Sequence, residues 1–267
     1  MECQRALFDF PGADEGLSYL NSSYLGPLPL TARAAATDAC ERQASPWAHL
    51  AGKPGEQLSS FYDDVEDARA AFAALIGASA DDIALTPATS YAMAVACKNL
   101  LPPGALGAGD QVLVIEQQFQ SNYYVWEEAA VAAGAEMLVV PRPADFDWTA
   151  VILEALTGSP AASAQAERVR AEAAAASTPS RIKLVTLPTV HWQDGSRLDL
   201  VAIGAACRAI GAKLVVDATQ SAGAVPFDVG AVRPDFLCAS AYKWLLCPYG
   251  LAFLYASPDN QQGAPLE

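Results

Sequence analysis

Residues 213–223, KLVVDATQSAG, and residues 235–255, DFLCASAYKWLLCPYGLAFLY, decide the fold of this chain. The first stretch is a short apolar run that ends in an acid, and the second holds two apolar runs separated by a turn. Short, continuously apolar runs between turn signals are typical of strands in a sheet that is covered on both faces. The stretches therefore predict three buried strands: Lys213–Val216, Phe236–Ala239 and Leu251–Tyr255.

The same pattern recurs upstream of these two stretches. It predicts four more strands: Ile83–Leu85, Gln111–Ile115, Met137–Val140 and Ile182–Leu187. Helical periodicity between the strands predicts five helices: Phe61–Ile76, Ser90–Leu101, Asn122–Ala133, Trp148–Leu156 and Leu200–Ile210. Strands that alternate with helices along most of a chain indicate an α/β fold with a largely parallel sheet.

Two segments depart from this alternation. Residues 1–54 are rich in turn signals, and we predict an N-terminal arm and loops there instead of a separate domain. Residues 157–181 are rich in Ala, Ser and Glu, which indicates a surface insertion. The rest of residues 55–267 is predicted to form one large domain.

Composition excludes several classes of protein. Hydrophobic residues make up 52% of the 267 residues, enough to bury a core, so wholesale disorder is excluded. The net charge of −14 repels phosphate backbones, so we expect no nucleic-acid partner. With two histidines in the chain, we expect no histidine-based metal site. Six cysteines without a C-x-x-C pair indicate thiols in a reducing compartment, and we expect a cytoplasmic location.

We also expect no membrane partner. The N-terminal residues MECQRALFDFPG lack the apolar core of a signal peptide. The long apolar run from Phe236 to Pro258 contains Lys243, which is costly in lipid, and is interrupted by Pro248 and Gly250. A buried strand, a turn and a second strand fit this run better than a membrane span.

Two polar residues follow the deciding strands. Asp217 ends one strand, and ligands of open α/β sheets bind beyond the carboxyl ends of the strands; the alternative is an aspartate that caps the next turn. Lys243 follows the next strand among apolar neighbours, which lower the pKa of a lysine by desolvation. A neutral amine can form a Schiff base with a carbonyl group, and the alternative is a lysine that extends from a loop into solvent.

Two weaker signals lie further upstream. Thr89 and Ser90 open a helix after a short strand, and such a helix start can bind an anion or be an ordinary N-cap. Phe119 follows the strand that ends at Ile115, and its ring can either stack on a planar ligand or belong to the core. No glycine-rich fingerprint for a dinucleotide opens a helix.

Together these signals describe one ligand, pyridoxal phosphate (PLP). Its aldehyde requires a lysine, and its pyridine nitrogen requires a carboxylate to stay protonated and accept electrons. Its phosphate suits a helix N-terminus, and its ring suits an aromatic face. PLP is therefore the predicted cofactor.

The segments VVDATQSAGAVPFDV (215–229) and PDFLCASAYKWLLCPYGLAFLY (234–255) resemble the cofactor signature of class V aminotransferase-fold enzymes. This group holds cysteine desulfurases, kynureninases and isopenicillin N epimerase-like proteins. The resemblance runs from YLNSSYLGPLP (19–29) to the C-terminus and rests on the D-x-x-Q spacing and its distance to S-x-Y-K. It implies a three-layer α/β/α fold with a seven-stranded, mostly parallel sheet, the large domain of fold type I PLP enzymes, and a homodimer.

The resemblance also implies roles for individual residues. Lys243 would hold the cofactor as a Schiff base and move protons at the substrate Cα, Asp217 would pair with the pyridine nitrogen, and Gln220 would bond the phenolic oxygen. The implied phosphate ligands are Thr89, Ser90, Ser240 and Tyr242. Phe119 takes the ring-stacking position, which is histidine in desulfurases, and the residues expected near the ring or at the substrate entrance are His191, Trp192, Asn21 and Ser22.

The implied function is a PLP-dependent transferase or lyase that acts on an amino acid through a Cα carbanion, as a transaminase, lyase or epimerase. Family members continue with a small C-terminal domain that supplies the arginine for the substrate carboxylate, and this sequence ends without it. A truncated product, a fragment and a minimal variant stay open. The alternatives are therefore an incomplete PLP-binding or interaction module, or an α/β domain whose lysine serves another carbonyl ligand.

Overall fold

A seven-stranded sheet forms the centre of the molecule. The computed structural model describes residues 4–10, 16–47, 62–158 and 181–264. The strands are β1 (Ile83–Thr86), β2 (Gln111–Ile115), β3 (Glu136–Val140), β4 (Ile182–Pro188), β5 (Lys213–Asp217), β6 (Phe236–Ser240) and β7 (Ala252–Ala256). Their order is β1-β7-β6-β5-β4-β2-β3, and β7 runs in the opposite direction to the other six strands. The prediction of seven strands in a mostly parallel sheet is confirmed.

Seven α-helices accompany the sheet within the described ranges. They are α1 (Leu30–Ala44), α2 (Asp63–Ile76), α3 (Thr89–Leu100), α4 (Tyr124–Ala133), α5 (Trp148–Thr157), α6 (Leu200–Ile210) and α7 (Val229–Val232). The five predicted helices are confirmed with small shifts at their ends. Gly77 ends α2 in the left-handed conformation, with φ of 71°, which glycine adopts without a steric cost.

The helices cover both faces of the sheet. Side chains of successive strand residues point to opposite faces, so Leu214 and Val216 pack in one core and Val215 packs in the other. The first core also contains residues of α2, α5 and α6, and the second contains residues of α3 and α4. The strands are apolar at consecutive positions because both faces are buried. The predicted three-layer α/β/α fold is confirmed.

The N-terminal region differs from the prediction. We predicted an arm and loops for residues 1–54, but Leu30–Ala44 forms the fifteen-residue helix α1. The sequence of α1 lacks the apolar stripe that reveals an amphipathic helix, and the helix accordingly has no buried residue. Its alanines favour a helix by intrinsic propensity alone, a signal that the periodicity search could not detect.

Two other expectations concern segments and membranes. The predicted insertion, residues 157–181, lies outside the described residues except at 157, 158 and 181. The division of the chain at residue 54 stays a prediction. None of the helices in the described part of the chain is long and apolar enough to cross a membrane.

The strand order opens a crevice at the carboxyl ends of the strands, between β2 and β4. The chain runs outward from β2 to β3 and then returns to β4, which lies on the other side of β2. The loops after β2 and β4 therefore diverge at a point where the direction of winding reverses. Ligands of open α/β sheets bind at such points, beyond the carboxyl ends of the strands.

Candidate active site

A cavity of about 510 Å³ lies beyond the carboxyl ends of the strands. Its volume falls in the range of roughly 300 to 1,000 Å³ that is usual for small-molecule sites. Nine of the predicted site residues line it: Thr89, Ser90, Phe119, Trp192, Asp217, Gln220, Ser240, Tyr242 and Lys243. The other three predicted residues, His191, Asn21 and Ser22, do not line it.

Lys243 lies in the turn between β6 and β7, and only 7% of the residue is exposed. Its Nζ lies 5.6 Å from the centroid of the Phe119 ring and 5.9 Å from that of Tyr242. Burial lowers the pKa of Lys243 below its ordinary value, and the nearby carboxylate of Asp217 offsets this only in part. More of this amine is therefore neutral and nucleophilic near pH 7 than of an exposed lysine.

Asp217 ends β5 and is buried beside the strand that leads to Lys243. Burial raises the pKa of its carboxyl group, while hydrogen bonds from Thr219 and the charge of Lys243 act to lower it. The Thr219 N–H donates to Asp217 Oδ1 at 2.9 Å and fixes the carboxylate. A cationic group in the cavity would stabilise this carboxylate, so Asp217 fits a protonated ring nitrogen.

Hydroxyl groups and a helix start form another side of the cavity. Thr89 Oγ1 and Ser240 Oγ are 2.5 Å apart, and the Ser240 N–H donates to Thr219 Oγ1 at 3.0 Å. Helix α3 starts at Thr89 after Ala88, and no side chain caps it. The first N–H groups of a helix attract anions. This side of the cavity therefore fits a phosphate group.

Gln220 connects the cavity to the N-terminal segment. Its Oε1 accepts a hydrogen bond from Trp244 Nε1 at 3.1 Å, and its Nε2 donates to the carbonyl oxygen of Ser23 at 3.2 Å. Asn21 and Ser22 precede this contact but lie outside the cavity lining. The backbone of the segment 19–29 thus supports the site by accepting the hydrogen bond from Gln220.

Gly26 allows the N-terminal segment to lie directly against the turn that carries Lys243. Its N–H donates to the carbonyl oxygen of Tyr242 at 3.1 Å. A Cβ atom at position 26 would lie 2.1 Å from the carbonyl oxygen of Lys243. On the other side of the turn, a Cβ at Gly223 would lie 2.5 Å from the carbonyl oxygen of Trp244. Two glycines therefore permit backbone to enclose the turn from both sides.

The substitution Gly26→Ala is expected to displace the segment 19–29 from this turn. The new methyl group meets backbone, which cannot rotate away, so we expect a loss of about 1–3 kcal/mol of stability and weaker ligand binding in the cavity. Denaturant unfolding measures the first effect. Gly107→Ala is the matched control, because its Cβ would meet nothing nearer than 4.0 Å. Equal stability of the two variants would contradict the expected displacement.

His191 and Trp192 point to opposite sides of one short hairpin, residues 189–198. Trp192 lines the cavity and meets the Phe119 ring edge to face, with centroids 5.7 Å apart. His191 is fully buried and stacks on Trp148, with centroids 4.9 Å apart. Adjacent side chains of an extended segment alternate in direction. Of the two residues expected near the ring, the structure therefore places Trp192 in the cavity and His191 behind it.

Sequence reasoning missed several residues of the cavity. Thr219 stands between Asp217 and Gln220 in the D-x-x-Q motif, and it bonds both Asp217 and Ser240. A hydroxyl-bearing residue between two predicted site residues is a sequence signal that could have found it. The other missed polar side chains are Gln118, Gln120, Ser121, Tyr124 and Tyr249. Among the described residues that line the cavity, Lys243 is the one cation and Asp217 the one anion.

Several known proteins are similar to this chain in sequence. A family model described as aminotransferase class-V matches residues 34–160 and 161–267. The Bacillus subtilis (strain 168) protein named "Uncharacterized aminotransferase YcbU" is 30% identical over 205 residues, 77% of this chain and 48% of that protein. Isopenicillin N epimerase of Streptomyces clavuligerus is 30% identical over 243 residues, 90% of this chain and 54% of that protein.

A solved structure shares the fold. It is a C-DES mutant with glycine covalently linked to its PLP cofactor, and it aligns with a TM-score of 0.68 at 22% identity, covering 97% of this chain and 60% of that one. The chain spans about half the length of the curated relatives it matches. The family match covers most of the sequence, including the strands, the turn and the helix start that form the cavity. This chain belongs to the aminotransferase class-V family.

Proposed function

We propose that this chain binds PLP and forms the cofactor-binding part of an enzyme that acts on an amino acid. One observation carries the proposal: a buried aspartate and a buried lysine lie at the carboxyl ends of adjacent parallel strands and line one cavity. The uncapped start of α3 lines the same cavity and suits the phosphate. The class V family and a fold neighbour that holds glycine covalently linked to its PLP cofactor support the same ligand.

PLP, when bound, supplies an aldehyde for covalent attachment and a pyridinium ring that withdraws electrons from the substrate Cα. The Lys243 amine would be the attachment point, and as a free amine it would take and return the proton at the substrate Cα. Asp217 would keep the ring nitrogen protonated. Thr89, Ser90 and Ser240 would bind the phosphate, and Phe119 would cover the ring. Transaminase, lyase and epimerase activities would all use these residue roles.

A second candidate function is PLP binding without turnover. The observation that favours it is the lack of any arginine among the described residues that line the cavity. Apart from Lys243, an amino-acid carboxylate would meet only neutral donors there, such as Gln118 and Tyr124, which bind an anion less strongly than a guanidinium does. A cofactor that stays attached during an amino-acid screen, with no product formed, supports this second function.

The experiment that tests the proposed function is cofactor trapping. Purified chain is incubated with PLP, a visible absorption spectrum is recorded, and the adduct is reduced with borohydride and mapped by peptide mass spectrometry. We expect a visible absorption band and one modified peptide that contains Lys243. Modification of exposed lysines in proportion to their accessibility, without preference for Lys243, would contradict the proposal.

We also propose a homodimer with a cytoplasmic location. Large apolar side chains of the N-terminal region are exposed, including Leu20, Tyr24 and Trp47, and a partner subunit would bury them. The five described cysteines are free thiols, three of them buried, which is usual for a protein of a reducing compartment. Cys40 is exposed. Analytical ultracentrifugation measures the oligomeric state, and cell fractionation measures the location. A monomer at micromolar concentration would contradict the dimer.

A further inference from the structure

The two aromatic residues that cover the cavity come from different loops. Phe119 belongs to the segment 116–119 after β2, and Trp192 belongs to the hairpin 189–198 after β4. The indole N–H of Trp192 donates to the carbonyl oxygen of Gln117 at 2.7 Å. Gln117 has φ of 58°, a conformation that side chains other than glycine rarely adopt. The segment 116–119 therefore requires support from its surroundings to keep this shape.

Phe119 and Trp192 together form an aromatic wall of the cavity. Arg142 supports this wall from the side away from the cavity. Its backbone N–H donates to Glu116 Oε2 at 2.7 Å, and its Nη1 donates to Gln117 Oε1 at 3.4 Å. Its Nη2 lies 3.3 Å from Asp194 Oδ2. One arginine thus contacts both loops, since Glu116 and Gln117 precede Phe119 and Asp194 lies two residues after Trp192.

Asp194 organises the hairpin. Its side chain is 7% exposed, the Ser196 N–H donates to Oδ1 at 2.8 Å, and Trp148 Nε1 donates to Oδ2 at 3.2 Å. His191 Nδ1 lies 3.0 Å from Oδ2. Burial acts to raise the pKa of Asp194, but these hydrogen bonds outweigh it and leave the pKa below its ordinary value. The carboxylate is therefore ionised at neutral pH and attracts Arg142.

We propose that Asp194 and Arg142 are a positioning pair that holds Trp192 and Phe119 in place over the cavity. Neither residue lines the cavity, so the pair acts through the two loops that it joins. The wall that results limits how the ring of a cofactor can lie and how much water reaches it. The inference rests on the proposed function for the identity of the ligand, whereas the geometry of the wall can be tested without it.

The test compares Asp194→Asn, Arg142→Gln and Arg142→Lys with the matched control Arg181→Gln. Arg181 forms an exposed ion pair with Glu136, 3.2 Å long, at the other end of β3. The first measurement uses chain without PLP. Acrylamide quenching of tryptophan fluorescence is recorded for each variant with and without Trp192→Phe, and the difference reports Trp192. We expect Trp192 to become more accessible in Asp194→Asn and Arg142→Gln, and unchanged in Arg181→Gln.

The second measurement uses PLP-loaded chain. Visible circular dichroism reports how the cofactor ring is oriented, which a change in global stability alone would not alter. We expect a reduced signal and about tenfold weaker PLP binding in Asp194→Asn and Arg142→Gln, because a hydrogen bond to a charged group is lost. Arg142→Lys keeps the charge and is expected to restore part of the signal.

Unchanged quenching of Trp192 in both Asp194→Asn and Arg142→Gln would overturn the proposal. An equal effect in Arg181→Gln would overturn it as well. Arg142 is one-third exposed, so its replacement is the milder change and decides the matter if Asp194→Asn does not fold. If the parent chain binds no PLP, the proposed function fails, and the quenching measurement still decides whether the pair positions Trp192.

Discussion

Lys243→Ala is expected to abolish the borohydride-stable adduct with PLP completely, because the amine that attacks the aldehyde is removed. Residual PLP binding through the phosphate side of the cavity is expected to remain, since Thr89, Ser90 and Ser240 are unchanged. Peptide mapping after reduction measures the adduct, and ultrafiltration measures the cofactor that stays bound without a covalent bond.

The matched control for this variant is Lys213→Ala. Lys213 starts β5, at the amino end of the strand and thus opposite the cavity, and its Nζ lies 2.7 Å from Asp235 Oδ1. Its replacement is expected to leave the adduct on Lys243 intact. A reducible adduct that persists in Lys243→Ala at the parent level would show that another lysine holds the cofactor.

The pH dependence of adduct formation offers an independent check on Lys243. The neutral amine is the nucleophile, so the rate rises with pH as the ammonium group loses its proton. Burial lowers the pKa of Lys243, and the midpoint of this rise is expected below the ordinary value for lysine. A midpoint equal to that of an exposed lysine would show that the amine is not desolvated in solution.

Asp217→Asn is expected to leave PLP attached to Lys243 but to slow proton exchange at the substrate Cα strongly. The amide cannot keep the pyridine nitrogen protonated, so the ring no longer stabilises negative charge at Cα. Loss of such electrostatic stabilisation typically costs on the order of 10²–10³ in rate. Deuterium exchange at Cα, followed by NMR in heavy water across an amino-acid panel, measures the effect.

A second measurement on Asp217→Asn does not depend on turnover. The ¹⁵N chemical shift of labelled PLP reports whether the ring nitrogen carries a proton, and we expect a protonated nitrogen in the parent and a neutral one in the variant. Asp81→Asn is the matched control, because this side chain is 92% exposed and precedes β1, whose other end leads to the cavity. A protonated nitrogen in Asp217→Asn would contradict the role given to Asp217.

Much of the fold could be predicted because local patterns carried the signal. The strand β2 was predicted with its observed bounds because it is a continuously apolar run, and α6 was predicted with its bounds because it shows helical periodicity between clear turn signals. The helix α1 was missed because helices that bury nothing show no apolar periodicity. The cavity residues that follow strands were predicted because chemistry concentrates at the carboxyl ends of parallel strands.

Contacts between distant segments could not be predicted in the same way. The sequence offered His191 and Trp192 equally, and only the turn of the hairpin 189–198 decides which of them faces the cavity. The need for glycine at position 26 arises from backbone of Lys243, 217 residues further along the chain. Such a contact leaves no periodic trace near Gly26.

The sequence by itself determined the alternation of strands and helices, the cofactor signature that contains Asp217 and Lys243, and an acidic surface. These properties follow from residue type and short-range spacing, which local sterics and burial convert directly into structure. Only the tertiary structure decided that Thr219 bridges two strands, that Gln220 contacts the N-terminal segment, and that Arg142 joins two loops. Those contacts depend on the order of strands in the sheet, which is set by packing between residues that lie far apart in the chain.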